Sequence, residues 1–184
     1  MTSAVLADNR PMSGDDFLAL GDTSPRVELF DGSLHVTPAP TIRHQRIARR
    51  LANALERSAD AAGLQVDDAV NVRLLPERIV IPDVVVFSAD VSIDQLVIDG
   101  SAVRLVCEIL SPSNPTTDKV LKMHYYAAAG IPGYLVIDPV ARTLHLHELR
   151  GTAYTEHMTV RVGDILRLTE PLVVDLEPAA LLPE

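Results

Sequence analysis

A chain of 184 residues is long enough to bury a sizeable core as one domain, here taken as residues 1–184, and its 47% hydrophobic content excludes a disordered polymer. The formal charge of −9, from 16 basic and 25 acidic residues, disfavours indiscriminate adhesion to nucleic acid, so a nucleic-acid role would need a local basic patch or a bound metal. No apolar run approaches the ~20 residues of a membrane span, so no membrane partner is expected.

The N-terminal stretch "MTSAVLADNRPMSGDD" lacks the basic-then-apolar pattern of a secretory signal. "SGDDFLALG" (Ser13 to Gly21) reads as a short helix with a Ser or Asp start and a Gly stop. "VELFDGSLHV" reads as a hairpin, with Asp31-Gly32 as its type I′ turn. "TIRHQRIARRLANALERSADAAG" has the period of an amphipathic helix and stops at Gly63. From Gly63 to Phe87 the pattern suggests two strands broken around Pro76. Leu105 to Leu110 is a buried strand, followed by a Pro-Ser-Asn loop and a helix from about Thr117 to Ala129. "GYLVID" is a further strand, "RTLHLHEL" and "AYTEHMTV" form a late hairpin, and "DILRLTEPLVVDL" adds strand material before "PAALL". The order predicts a mixed α/β (α+β) domain: a central sheet covered by helices, with a hairpin towards each end. The single cysteine, Cys107, forms no internal disulfide and fits a reducing cytoplasm; on a strand it points away from Glu108 and reads as a core thiol.

Two carboxylates interrupt apolar runs. Asp83 lies within Ile79 to Phe87, and Glu108 lies within the Leu105 strand. A buried, unpaired carboxylate either neutralises or finds a cation. If the two strands are neighbours the acids converge, and oxygen donors of that kind suit Mg²⁺ or Mn²⁺. Glu28, in the hairpin strand, reads on spacing alone as an ordinary edge-strand charge. Lys122, on the helix that follows Glu108, is within reach of that strand's end, while Lys119 reads as solvated. His44 falls in line with the apolar stripe of Ile47, Ala48, Leu51 and Leu55, where it is either a core-edge histidine or a site residue. Arg43, Arg46, Arg50 and Arg57 make a basic stripe on a neighbouring helix face, the place where phosphate contacts would be expected. His145 and His147 share a strand face, but no third ligand lies at zinc spacing, so they are expected to face solvent.

These residues carry a resemblance. "ELFDG" (Glu28 to Gly32), His44 opening a helix, "PDVVVF" and "EILSPS" occur in that order, followed by Asp118 with Lys122 four residues on, Tyr126, and "AGIPGYLVIDP". Together they are similar to the PD-(D/E)XK nuclease superfamily, and within it to the Uma-type bacterial restriction-endonuclease family, over nearly the whole chain. In the ordinary motif a lysine stands two residues after the second acid. Here that position is Leu110, and the family has moved its lysine to the next helix. Where the family often has Glu-Tyr-Trp, this chain has Gly133-Tyr134-Leu135.

The resemblance implies a restriction-endonuclease-like fold, metal ligation by Asp83 and Glu108 with Glu28 nearby, and Lys122 as the relocated catalytic lysine. The main-chain carbonyl of Ile109 would add a metal ligand, and His44 would orient a water or a phosphate. The implied activity is Mg²⁺- or Mn²⁺-dependent hydrolysis of phosphodiester bonds in nucleic acid, DNA first. The competing expectation is a metal- or nucleic-acid-binding module that keeps the fold without turnover. Dimerisation would join two arginine stripes into one groove.

Overall fold

The computed structural model describes residues 11–183 apart from 22, 24 and 112–115, and the backbone alone of 116–119. The expected Pro-Ser-Asn loop and the side chains of Asp118 and Lys119 therefore lie outside the described residues. Ser13 caps α1 (Gly14–Leu18) by accepting from the Asp16 amide. Strands β1 (Val27–Phe30) and β2 (Ser33–Val36) pair through a turn with both φ angles positive, Asp31 at 51° and Gly32 at 80°. That is the type I′ geometry expected of Asp-Gly. A Cβ on Gly32 would also stand 2.4 Å from the Pro11 side chain, so only glycine fits.

Helix α2 (Ile42–Ala61) starts at Thr41, whose side chain accepts from the His44 amide. It ends before Gly63, which has φ 68°. Ile47, Ala48, Leu51, Leu55 and Ala59 are its buried stripe.

The stretch from Leu64 to Phe87 is four strands rather than two: β3 (Leu64–Asp68), β4 (Val72–Leu75), β5 (Arg78–Val80) and β6 (Val84–Ser88). The apolar run Ile79 to Phe87 is cut at Pro82, which has no amide hydrogen for a ladder and holds Ile81 out of the helical region. The chain leaves one sheet at Val80 and enters another at Val84, so Asp83 sits at the crossing and not inside a strand. Next come β7 (Ile98–Asp99), a 3₁₀ turn (Gly100–Ala102), β8 (Val103–Ile109), α3 (Thr116–Ala128) and β9 (Gly133–Asp138). The late hairpin is β10 (Thr143–Arg150) with β11 (Ala153–Arg161), and β12 (Leu166–Leu168), β13 (Val174–Leu176) and α4 (Pro178–Leu181) complete the described chain.

One sheet has the order β2-β1-β5-β4-β7; a larger one has the order β11-β10-β9-β8-β6-β3, and β12-β13 form a third. The larger sheet is mixed: β8 and β9 are parallel, and its other pairs are antiparallel. Strand alternation sorts its two faces. Val84, Val86, Leu105, Cys107, Leu135 and Ile137 pack with the α2 stripe. Val85, Phe87, Val106, Tyr134 and Val136 pack with Tyr125 and Tyr126 of α3 and with the smaller sheet. Cys107 is fully buried on the α2 face, and burial pushes its thiol pKa up, as befits an inert core residue. Among the described residues no helix is long and apolar enough to cross a membrane.

Candidate functional site

Among the described residues the buried charged side chains are Glu28, Glu108 and Lys122, and they meet at one point. Strand β1 supplies Glu28, the end of β8 supplies Glu108, and the second turn of α3 supplies Lys122. The lysine Nζ lies 3.0 Å from Glu28 Oε1 and 3.3 Å from Glu108 Oε1. Tyr126, one turn further along α3, donates its hydroxyl to Glu108 Oε1 at 2.6 Å. Glu28 is not an edge-strand charge: β1 lies between β2 and β5, and the side chain is 3% exposed. Its Oε1 accepts the Ile81 amide at 2.7 Å and its Oε2 accepts the Thr37 hydroxyl at 3.2 Å.

Asp83 stands beside this cluster because β6 and β8 are antiparallel neighbours, with Val84 opposite Cys107. Its Oδ2 accepts the Ile109 amide at 2.7 Å, and its Oδ1 pairs with His44 Nε2 at 2.9 Å. His44 reaches it from the first turn of α2. Glu28, His44, Asp83, Glu108, Ile109 and Lys122 all line one cleft of about 510 Å³.

The electrostatics follow from three carboxylates crowding one ammonium. Burial, with the charges of Asp83 and Glu28, pushes the Glu108 carboxyl up to about 7, although Lys122 and the Tyr126 hydroxyl pull the other way. Burial alone would lower the Lys122 pKa, but Glu108 and Glu28 outweigh it and hold the ammonium protonated. The same competition raises His44: burial opposes its charge, and the hydrogen bond and charge of Asp83 prevail.

Asp83, Glu108 and the Ile109 carbonyl are oxygen donors, the chemistry that a hard divalent cation takes. Among the described residues no group of three or more His, Cys, Asp or Glu side chains is arranged to hold a metal, and Lys122 stands between Glu28 and Glu108. The same statement covers His145 and His147. These two are half-buried rather than solvent-facing: a bulge follows Leu146, and the His147 ring lies 5.8 Å from that of Tyr134.

The basic stripe is not gathered into the cleft. Arg43 donates to the Pro183 carbonyl, and Arg50 donates to those of Ala180 and Leu181, so α4 and the residues after it dock on this face of α2. Arg57 is 14 residues beyond Arg43, about 21 Å along the helix. In its place the cleft holds a cation that the sequence reading passed over. Arg26 precedes Glu28 by two residues on the same side of extended chain, a spacing that could have revealed it. Tyr126 is marked in the sequence only as a motif residue, and no local pattern marks Thr37.

Asp31 of the "ELFDG" turn ties the smaller sheet to α3. It pairs with Arg78 and accepts the Tyr125 hydroxyl at 2.9 Å, while the Arg78 guanidinium lies 3.6 Å from the Tyr125 ring centre. Tyr125 adjoins Tyr126 on α3, so the same turn carries the hydroxyl that reaches Glu108. At Gly133 a Cβ would meet Leu105 Cδ1 at 2.8 Å and the Arg104 carbonyl at 3.3 Å, so a side chain there requires Leu105 to shift.

A family model described as "Uma2: Putative restriction endonuclease" matches residues 15–182. The chain belongs to the Uma2 family. The Uma2 membership and the mixed sheet agree with a PD-(D/E)XK type of fold. A crystal structure from Anabaena variabilis, described as "a putative nuclease belonging to DUF820", superposes with a TM-score of 0.71 at 18% identity. The match covers 93% of this chain and 97% of that one, a likeness of fold. A DrdV–DNA complex aligns with 62% of this chain and 10% of its own, at 21% identity and a TM-score of 0.38. No curated protein matches.

Proposed function

We propose that this Uma2-family chain is a divalent-metal-dependent endonuclease that hydrolyses phosphodiester bonds of nucleic acid, DNA first. The observation that carries the reading is that Asp83, Glu108 and Lys122 line one cleft of about 510 Å³. Asp83, Glu108 and the Ile109 carbonyl would hold Mg²⁺ or Mn²⁺. When bound, such an ion acidifies water and offsets charge on the phosphate. Lys122, held protonated by its carboxylates, offers its N–H groups to negative charge developing on the phosphoryl oxygens. Glu28 holds that ammonium from the opposite side. His44, fixed by Asp83, presents a polar ring edge that orients water or a phosphate oxygen. Of the basic stripe, Arg46 and Arg57 would contact phosphates further along the strand, beside Arg43 and Arg50, which also hold carbonyls of Pro183 and of α4.

The Lys122 ion pairs favour one other reading. A site neutralised by its own lysine would serve a nucleic-acid-binding module that needs no metal. Incubation of supercoiled plasmid and of single-stranded circles with Mg²⁺, Mn²⁺ or EDTA separates the two. Nicking in metal and none in EDTA is the expected result. Intact DNA in every condition, with retained binding, would leave the module reading.

Metal binding is expected to depend on pH through Glu108. With its carboxyl at about 7, a proton competes with the cation below that pH and not above it. Titration calorimetry with Mn²⁺ should give about tenfold tighter binding at pH 8 than at pH 6, with protons released at pH 6. Equal affinities at the two pH values would remove Glu108 from the ligand set.

A further inference from the structure

We propose that Arg26 is the phosphate anchor of the cleft, its guanidinium taking the non-bridging oxygens of the phosphodiester that lies against Asp83 and Glu108. The proposal rests on the nuclease reading of the cleft and adds the residue that holds the substrate there. Arg26 continues the β1 ladder, since its carbonyl accepts the Thr37 amide at 2.9 Å. Its half-buried side chain lines the cleft on the same side as Glu28. One N–H, on Nη2, donates to the Ile81 carbonyl at 3.0 Å. With the Glu28 carboxylate on the Ile81 amide, the two side chains satisfy both main-chain polar groups of that residue where the chain crosses between sheets.

A guanidinium has five N–H donors in a planar fork, so that single bond fixes its position and leaves the others to a ligand. Among the described residues Arg26 makes no ion pair with a carboxylate. That distinguishes it from Lys122, which lies between two of them.

Charge gives the same answer. Glu28, Asp83 and Glu108, once ionised, carry three negative charges against the single positive charge of Lys122. A divalent ion brings that floor to neutrality. The phosphodiester then adds one more negative charge, and Arg26, which no carboxylate among the described residues occupies, is placed to meet it. An arginine present only to satisfy Ile81 would be replaceable by any donor of similar length, which makes the two roles separable.

Arg26→Gln removes the charge; its amide is two atoms shorter and leaves the half-buried Ile81 carbonyl to water. The probe is a fluorescent 12-nucleotide single strand with phosphorothioate linkages, which resist hydrolysis, titrated in Mn²⁺ at several KCl concentrations. The expected result is about tenfold weaker binding and a salt slope lower by about 0.7, the loss of one single-strand phosphate contact. Melting should fall by about 2–4 °C, the loss of one part-buried hydrogen bond. Arg26→Lys should recover the slope but not the full affinity, because a lysine cannot bind bidentately. Arg167→Gln, at an exposed pair with Asp175, should match wild type. Wild-type affinity and slope in Arg26→Gln would overturn the proposal. So would a glutamine protein that melts far below wild type, or a wild-type protein that does not bind the probe. The titration needs no turnover. A protein that binds through Arg26 and cuts nothing therefore keeps this inference and loses the nuclease reading. One that cuts equally well with Arg26→Gln does the reverse.

Discussion

Asp83→Asn and Glu108→Gln proteins are expected to fold and to lose metal-dependent cleavage by about 10²–10³-fold or more, the scale on which removal of one transition-state-stabilising group is felt. Amides are the right replacements at both positions. Asp83 accepts the Ile109 amide through one oxygen and meets His44 through the other. Asparagine can keep the first bond through its carbonyl and offer its NH₂ to a neutral His44. Alanine would leave the Ile109 amide without this partner, at about 1–3 kcal/mol. Loss of activity in Asp83→Ala would then confuse unfolding with chemistry. Glu108→Gln likewise keeps an acceptor for Tyr126 and removes the charge. Plasmid nicking in Mn²⁺, with melting temperatures measured on the same preparations, checks the expectation. Asparagine and glutamine proteins that cut at the wild-type rate would show that other residues, or another protein, do the cutting.

The approach of Asp83 and Glu108 was legible because it needs only the two-residue period of a strand and the assumption that two strands are neighbours. The manner of approach was not. Ile79 to Phe87 reads as one apolar run, and Pro76 was the expected break. The break that matters is at Pro82, where the chain changes sheets, and a hydropathy pattern is the same on both sides of that change. Glu28 shows the same limit from the other direction. A charge in a hairpin strand looks like an edge residue until β5 is placed against β1, and that pairing joins residues about fifty positions apart. The helix phase of α2 put Arg43, Arg46, Arg50 and Arg57 on one face. The docking of α4 on that face is a long-range event, and it occupies Arg43 and Arg50 with carbonyls that no local pattern announces. Motif order found Lys122; its burial between two acids came only with the fold.

Lys122→Met is expected to destabilise the metal-free protein by about 3–5 kcal/mol, because it removes one partner of a buried ion pair and leaves the others uncompensated. For a chain of this size that is a fall in melting temperature of roughly 6–20 °C. Methionine fills much of the space of the lysine stem, so a large effect would report the charge and not a cavity. The effect should depend on pH, and its sign is fixed. The Glu108 carboxyl is raised to about 7 in the folded protein, so its favourable contribution is fully present below the unfolded value near 4.5 and is lost as pH rises through 7. Without Lys122 that loss grows, since ionised Glu108 then faces Glu28 with no cation between them. Wild type and variant should differ least near pH 5 and most near pH 8. Mn²⁺ at pH 8 should raise the variant's melting temperature more than that of wild type, because a cation regains a place the lysine no longer fills. Adding Glu28→Gln to the variant should recover part of the loss without metal. Thermal melts in EDTA and in Mn²⁺ at the two pH values read all of this. A Lys122→Met protein that melts within a degree or two of wild type at pH 8 in EDTA would mean that the ammonium carries little of the site's charge balance, and the assignment of Lys122 to its centre would fall.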